Sequence, residues 1–292
     1  MSHAHDFSST LPADRTFDEP DAHGVQLRPL VSLAEYHACV DLQIAVWGAE
    51  FSDIVPASML KVATHVGGII VGALAGDALL GFVFGLTGVR DDEIVHWSHM
   101  LGVRADAREM GIGRRLKEYQ RATLARRGIA REFWTFDPLQ ARNAHLNVNR
   151  LGVRIIDYVV DMYGSMGSPL HFGVATDRLI VECATGARPK STPVPGPVIE
   201  QYGRAPILTP EPRPGDVVFQ GESPTIVLLE IPADVERVTA ESAEALSRWR
   251  LATRTHFQWA FLHGYRVTAL HRDRVASRAF YVLRRDAQGV GS

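Results

Sequence analysis

The chain has 292 residues, 46% hydrophobic and 22% charged. That composition suits one large globular domain or two smaller ones and excludes an unfolded low-complexity chain. The formal net charge of −2 excludes a general pull toward nucleic acid or an anionic membrane, so any anion site has to come from local clustering. The two cysteines, Cys39 and Cys183, lie far apart without Cys-x-x-Cys spacing and read as reduced, buried thiols.

Residues 1–24 are polar, with scattered His, Asp and Pro and no basic start leading into an apolar run. They read as a disordered or loosely docked tail rather than a signal peptide, and a cytoplasmic location is expected. Val25–Leu33 reads as a strand running into a helix, and Leu33–Trp47 carries Cys39, Val40, Ile44 and Trp47 at helical spacing. Pro56 suits the first turn of a second helix reaching Val66. Val66–Val89 is apolar enough to hint at a membrane span. However, Asp77 beside Gly76 and the β-branched and aromatic content favour two strands joined at Ala75–Ala78.

Ile94–Val103 follows as a strand, then a polar turn, a basic helix over Gly113–Arg127, a strand over Arg131–Phe136 and a helix over Ala141–Leu151 ended by Gly152. Val153–Tyr163 and Arg178–Cys183 are further strands. Eight prolines between Ala184 and Pro224 mark a linker or wrapping segment. Thr225–Ile231, a helix over 240–263, Tyr265–His271 and Ala279–Arg284 complete the chain. Strands alternating with helices imply an α/β (α+β) fold with a mixed sheet. The expected organisation is a tail (1–24), an α/β domain (25–184), a Pro-rich linker (185–224) and a strand-helix-strand-strand extension (225–292). The extension's helix–Gly–strand–strand order echoes the end of the first domain, as a degenerate half-repeat or as coincidence.

The segment Leu101–Leu116, LGVRADAREMGIGRRL, carries the chemistry. A strand ends in a loop with Gly111 and Gly113, and a helix begins at once. The free first amides of such a helix suit a pyrophosphate. Arg104, Arg108, Arg114, Arg115 and Lys117 make the region locally basic.

Leu101-x-Val103 followed by Arg108-x-x-Gly111-x-Gly113 resembles the cofactor motif of the GNAT N-acetyltransferase superfamily, and the element order extends that resemblance from Val25 to Cys183. It does not reach the C-terminal third. The spacing is not that of the dinucleotide fingerprint. The resemblance implies a GNAT-like mixed sheet flanked by helices and an acyl-CoA cosubstrate, acetyl or larger (succinyl among them). The CoA pyrophosphate would lie on the amides of Met110, Gly111, Ile112, Gly113 and Arg114 beside Arg108 and Arg115, with pantetheine along Leu101 and Val103. Asn143 would be a further cofactor contact, and Trp47–Leu60 part of the acceptor side. The acceptor would be the amine of a small molecule or amino acid. The C-terminal addition would narrow the cleft or form a homodimer surface.

Acyl transfer to an amine needs a base, donors for the oxyanion and a leaving thiolate. Strict alternation along the strand puts Trp97, His99, Leu101 and Val103 on one face and His96, Ser98 and Met100 on the other. His99 is therefore the first candidate base and His96 the second. The family's usual Tyr is replaced by Val148, which leaves water, Tyr158 or Tyr163 as the acid. It also motivates an alternative reading as a CoA-binding regulatory or scaffolding module without turnover. Trp97, Trp134 and Asp137 are candidate substrate contacts, Asp137 as an attractor of an ammonium. No histidine spacing suggests a metal, and no Gly-x-Ser-x-Gly elbow is present. The helix 114–127 as a nucleic-acid surface is disfavoured by the charge balance.

Overall fold

In the computed structural model, residues 19–164, 175–186, 202, 205–210, 224–273 and 277–285 are described. The chain divides into two compact units. One comprises Met1–Trp134 with Ala184–Ala187, the other Thr135–Cys183 with Arg188–Ser292. The division falls inside a strand, ahead of the boundary expected after residue 184. Residues 1–18 of the expected tail, with His3 and His5, lie outside the described residues. So does most of the Pro-rich segment, with Pro189, Pro193, Pro195, Pro197, Pro212 and Pro214.

The first unit opens with an anchored turn where the sequence suggested only a tail. Asp21 accepts the N–H groups of His23 (2.8 Å) and Val25 (2.9 Å) and pairs with Arg115. β1 (Val25–Pro29) leads to Ser32, which caps α1 (Leu33–Trp47) in a reciprocal capping box with Glu35. Tyr36, Cys39 and Leu42 form the buried stripe of α1. Gln43 is also buried, and its amide brackets Val55, accepting from the Val55 N–H (2.7 Å) and donating to its carbonyl (3.1 Å). One side chain thereby pins the loop between α1 and α2 (Ala57–His65). Pro56 is the N-cap of α2, one position earlier than expected.

The apolar run over 66–89 is a hairpin. β2 (Ile69–Ala75) and β3 (Ala78–Arg90) flank a turn at Gly76-Asp77, and β2 pairs with both β1 and β3, all antiparallel. Among the described residues no helix is long and apolar enough to cross a membrane. β4 (Glu93–Val103) pairs antiparallel with β3, and β5 (Arg131–Phe136) lies parallel to β4. The result is the mixed sheet that the sequence predicts. α3 (Ile112–Arg126) packs Ile112, Leu116, Tyr119 and Leu124 against Val71, Val83, Leu101 and Val103. Spacings of four and three residues keep Ile112, Leu116 and Tyr119 on one helical face, and Leu124 is buried near the helix's end.

In the second unit the helix expected over 141–151 is α4 (Ala141–Ala144), one turn long, continued by a π-type turn over His145–Arg150. The Asn147 amide donates to the Asn143 carbonyl (2.9 Å), and the Leu151 N–H reaches Leu146, five residues back (2.9 Å). β6 is Arg154–Val159, shorter than the expected strand to Tyr163, because Asp161 turns the chain at φ 46°. β7 (Arg178–Ala184) returns antiparallel to β6. A four-stranded sheet follows in the order β10-β11-β9-β8, from β8 (Ile207–Leu208), β9 (Ile226–Pro232), β10 (Tyr265–Asp273) and β11 (Arg278–Arg285). The helix expected over 240–263 is two helices, α5 (Val235–Glu241) and α6 (Ala243–Leu262). Ser242, extended at φ −169°, breaks them and caps α6 through the Ala245 N–H.

The echo between the two hairpins is structural. Gly152 and Gly264 each follow a helical segment with positive φ (61° and 78°). The next strand is then irregular four residues beyond the glycine, at Ile156 in β6 and at Thr268 in β10, and an antiparallel partner follows. The parallel β8–β9 pair repeats the parallel β4–β5 pair.

Candidate active site

β4 organises the candidate site, and a bulge decides what it presents. The β3–β4 register pairs Phe84 with Met100 and Gly85 with Ser98, which leaves His99 without a partner. The bulge shifts the alternation, and the expected division of faces is corrected accordingly. His96 and Ser98 lie with Leu101 and Val103 on the α3 side, whereas the His99 ring packs edge-on against Phe84 (6.0 Å) on the opposite face. One extra residue was enough to invert the pattern, since side chains alternate with period two.

On the α3 side a buried polar network fills the space. Gln120 bonds Ser98 (2.8 Å), His96 Nε2 (3.1 Å) and Lys117 (3.0 Å). Lys117 also donates to Glu132 (2.5 Å) and lies 3.7 Å over the Trp134 ring. Gly85 makes room for the imidazole, since a Cβ there would sit 2.2 Å from His96 Nε2. Burial, with the charges of Lys117 and Arg127, pushes the His96 pKa down to about 3. His96 is thus a neutral structural group at physiological pH. An unfolded histidine titrates near 6.5, so this contribution to stability is present at neutral pH and is lost as pH falls from about 6.5 toward 3. Between pH 7.5 and pH 5, urea unfolding of the wild type should lose about 2 kcal/mol more than that of His96→Leu. Equal losses in the two proteins would show that His96 protonates freely in the fold.

His99 is exposed, in contrast. Burial of its ring face against Phe84 lowers its pKa, and the Asp53 carboxylate partly offsets this. It is therefore neutral and accessible near pH 7.

Beyond the bulge, β4 ends in a short 3-10 turn over Ala105–Ala107, and Gly111 caps α3 at φ 72°. No side chain caps this end and no acid lies in its first turn. The Arg115 N–H makes the first bond back to the Gly111 carbonyl (3.1 Å), so the amides of Ile112, Gly113 and Arg114 come before the helical ladder. Met110 and Ile112 pack on the core and fix the loop, while Arg108 and Arg114 are exposed. Two members of the expected basic cluster point elsewhere. Arg115 holds Asp21 and the Val25 carbonyl, and Lys117 turns into the interior. The β4–β5 ladder is limited to His96–Glu132 and Trp97–Phe133. Past Trp97 the two strands part, which leaves main-chain groups on that edge of β4.

The other predicted residues divide clearly. Trp97 is half-buried beside Leu86 on the His99 face, and Trp134 is buried beneath Lys117. Asp137 accepts both Arg250 N–H groups (2.8 and 2.7 Å) and the Leu139 N–H (2.8 Å), with Arg178 at 3.7 Å. Two guanidiniums around one carboxylate would repel the ammonium it was expected to attract. Asn143 is exposed, whereas Asn149 binds the Leu270 main chain on both sides (2.6 and 2.8 Å). Tyr158 donates to Asp177 (2.7 Å), and burial with that carboxylate drives its pKa far up, so it keeps its proton. Tyr163 is half-buried, its hydroxyl 3.0 Å from Thr135 Oγ1. Sequence reasoning missed the carboxylate clamps of Arg250 and Arg254, the latter on Asp177 at 2.9 and 2.8 Å. Among the described residues no group of His, Cys, Asp or Glu could hold a metal.

Solved acetyltransferases are similar to this chain. Aminoglycoside 6′-acetyltransferase type Ii matches at 20% identity and TM-score 0.44, over 56% of this chain and 99% of that one. The ribosomal-protein-S18-alanine N-acetyltransferase from Escherichia coli matches at 15% and 0.44, over 58% and 99%. An aminoglycoside 6′-N-acetyltransferase complexed with coenzyme A matches at 17% and 0.41, over 56% and 99%. No family model and no curated protein sequence matches.

Proposed function

We propose that the chain is a GNAT-type N-acyltransferase that moves an acyl group from CoA to an amine. The observation that carries this is the α3 N-terminus. It has no side-chain cap and no acid in its first turn, Gly111 opens it in a left-handed conformation, and a short loop joins it to a strand that has parted from its parallel neighbour. Free amides and the helix dipole favour a pyrophosphate there, with Arg108 and Arg114 as charge partners. The freed edge of β4 past Trp97 suits the amides of pantetheine.

In this reading the acyl-CoA supplies the activated carbonyl. His99 accepts the ammonium proton, directly or through one water, and its neutral state near pH 7 suits that role. Main-chain N–H groups around the bulge stabilise the oxyanion. Water protonates the leaving thiolate, and Trp97 lines the acceptor side.

The test is free thiol release from acetyl-CoA and succinyl-CoA with and without amines. Acceptor-dependent release should be abolished in Gly113→Trp, whose side chain would meet Leu101 and Val103. His99→Ala should lower kcat by about 100-fold or more, with unchanged KM for acyl-CoA and no acidic limb in the pH profile. Release without any acceptor, or a His99→Ala enzyme of full activity, contradicts the scheme. Binding of CoA without turnover on any amine would favour the regulatory module.

A further inference from the structure

The face of the first unit that carries His99 is chemically distinct from the α3 side. Phe82, Phe84 and Leu86 alternate on β3 and point to this face, and Trp97 stands beside Leu86 on β4. Trp47, half-buried at the end of α1, stacks on Phe51 (5.6 Å), meets Phe82 edge-on (6.2 Å) and comes close to Gly102. His99 projects from this aromatic shelf, and Leu86 and Trp97 are partly accessible on it. The loop between α1 and α2 meets this face where Phe51 stacks on Trp47, and it is fixed by the two hydrogen bonds between Gln43 and the Val55 main chain.

That loop carries Asp53, whose charge reaches His99. Asp53 is exposed, and among the described residues it accepts only a long contact from the Ser52 hydroxyl (3.4 Å). Among the described residues no cation pairs with it, whereas Asp21, Asp106, Asp137 and Asp177 all hold an arginine. A carboxylate without a cation partner, beside a base on an apolar surface, is complementary to an ammonium attached to an apolar body. The rings offer cation–π and stacking contact, and the carboxylate neutralises one charge. A polyamine's second ammonium could meet only Glu50, and any further charge would lie against apolar neighbours. Glu50, exposed in the same loop, is the other carboxylate there.

We infer that the acceptor is a monoamine with an aromatic or large apolar body, seated on the half-buried rings of Trp47 and Trp97 with its ammonium toward Asp53 and His99. This inference deepens the acyltransfer reading and rests on it for turnover, but the shelf can also be tested by binding alone. The CoA-saturated protein would be titrated with phenethylamine, with spermidine and with an aminoglycoside, following tryptophan fluorescence and, in parallel, thiol release from acetyl-CoA. Phenethylamine is expected to quench the fluorescence and to react with kcat/KM at least about 10-fold above either polycation. Asp53→Asn should lower kcat/KM for phenethylamine about 10-fold, mainly through a raised KM, with Asp53→Glu restoring most of the loss. Preference for a polycation, or an Asp53→Asn enzyme with unchanged KM, overturns the inference while leaving acyl transfer intact. Binding of phenethylamine without turnover of any amine sustains the shelf and overturns acyl transfer. Neither binding nor turnover with phenethylamine overturns the inference outright.

Discussion

Replacing Gly111 with valine should weaken CoA binding by about 100-fold or more, equivalent to about 2.7 kcal/mol, while the fold survives. The residue sits at φ 72°, and an added Cβ would meet nothing within 4 Å, so the penalty is conformational rather than steric. A left-handed L-residue costs about 1–2 kcal/mol, which a domain with 5–15 kcal/mol of stability tolerates, but relief of the strain re-aims the amides of α3. Gly128, at the other end of the same helix, supplies the control. It also has φ 72° with open space around it. Gly128→Val should therefore show a similar loss of stability with CoA affinity intact. Equal effects of the two substitutions on affinity would mean that the helix start is not the binding site.

The largest effect on stability should come from Arg250→Met, which strips the bidentate partner from buried Asp137. Arg250 and Asp137 are both largely buried in the second unit, and removing one member of such a pair costs about 3–5 kcal/mol. That is a large share of what holds a domain together. Removing both charges with Asp137→Asn and Arg250→Met should recover most of the loss, because the desolvated charge goes with them. Burial alone would raise the Asp137 pKa, but the charge and hydrogen bonds of Arg250, helped by Arg178 and the Leu139 N–H, outweigh it and leave the pKa lowered. The pair's contribution is then fully present above the ordinary carboxylate pKa near 4 and is lost as pH falls below it. Thermal melts from pH 7 to pH 3 should show this acid-induced loss in the wild type and a shallower one in the double variant. A stable single variant at pH 7 would show that the clamp holds little.

The sheet, the glycine turn and the α3 stripe were legible in the sequence because each has a local cause. Gly76-Asp77 breaks the long apolar run, Gly111 and Gly113 mark the turn into the helix, and Ile112, Leu116 and Tyr119 recur at helical spacing. The bulge at His99 was not legible, because it depends on how β3 and β4 pair over distance rather than on composition. It moved His96 into the interior and His99 to the accessible face.

The role of Asp137 was misread for a related reason. Its partner lies 113 residues away on α6, and a turn-forming Asp-Pro looks the same with or without it. One signal was present nonetheless. Arg250 falls four residues after Leu246 and seven before Phe257, within the buried stripe of α6. A charge at core spacing on a helix implies a buried counter-charge. Asn149 shows the same logic, since its poor helix propensity reflects a reciprocal bond to the main chain of β10.

The most direct measurement is an amide-resolved NMR titration with CoA. The largest shifts are expected on the N–H groups of Ile112, Gly113 and Arg114, with Arg108 close behind and the β4 edge past Trp97 following. Saturating CoA without shifts at the start of α3, or with shifts confined to another part of the chain, would contradict CoA binding at the α3 N-terminus.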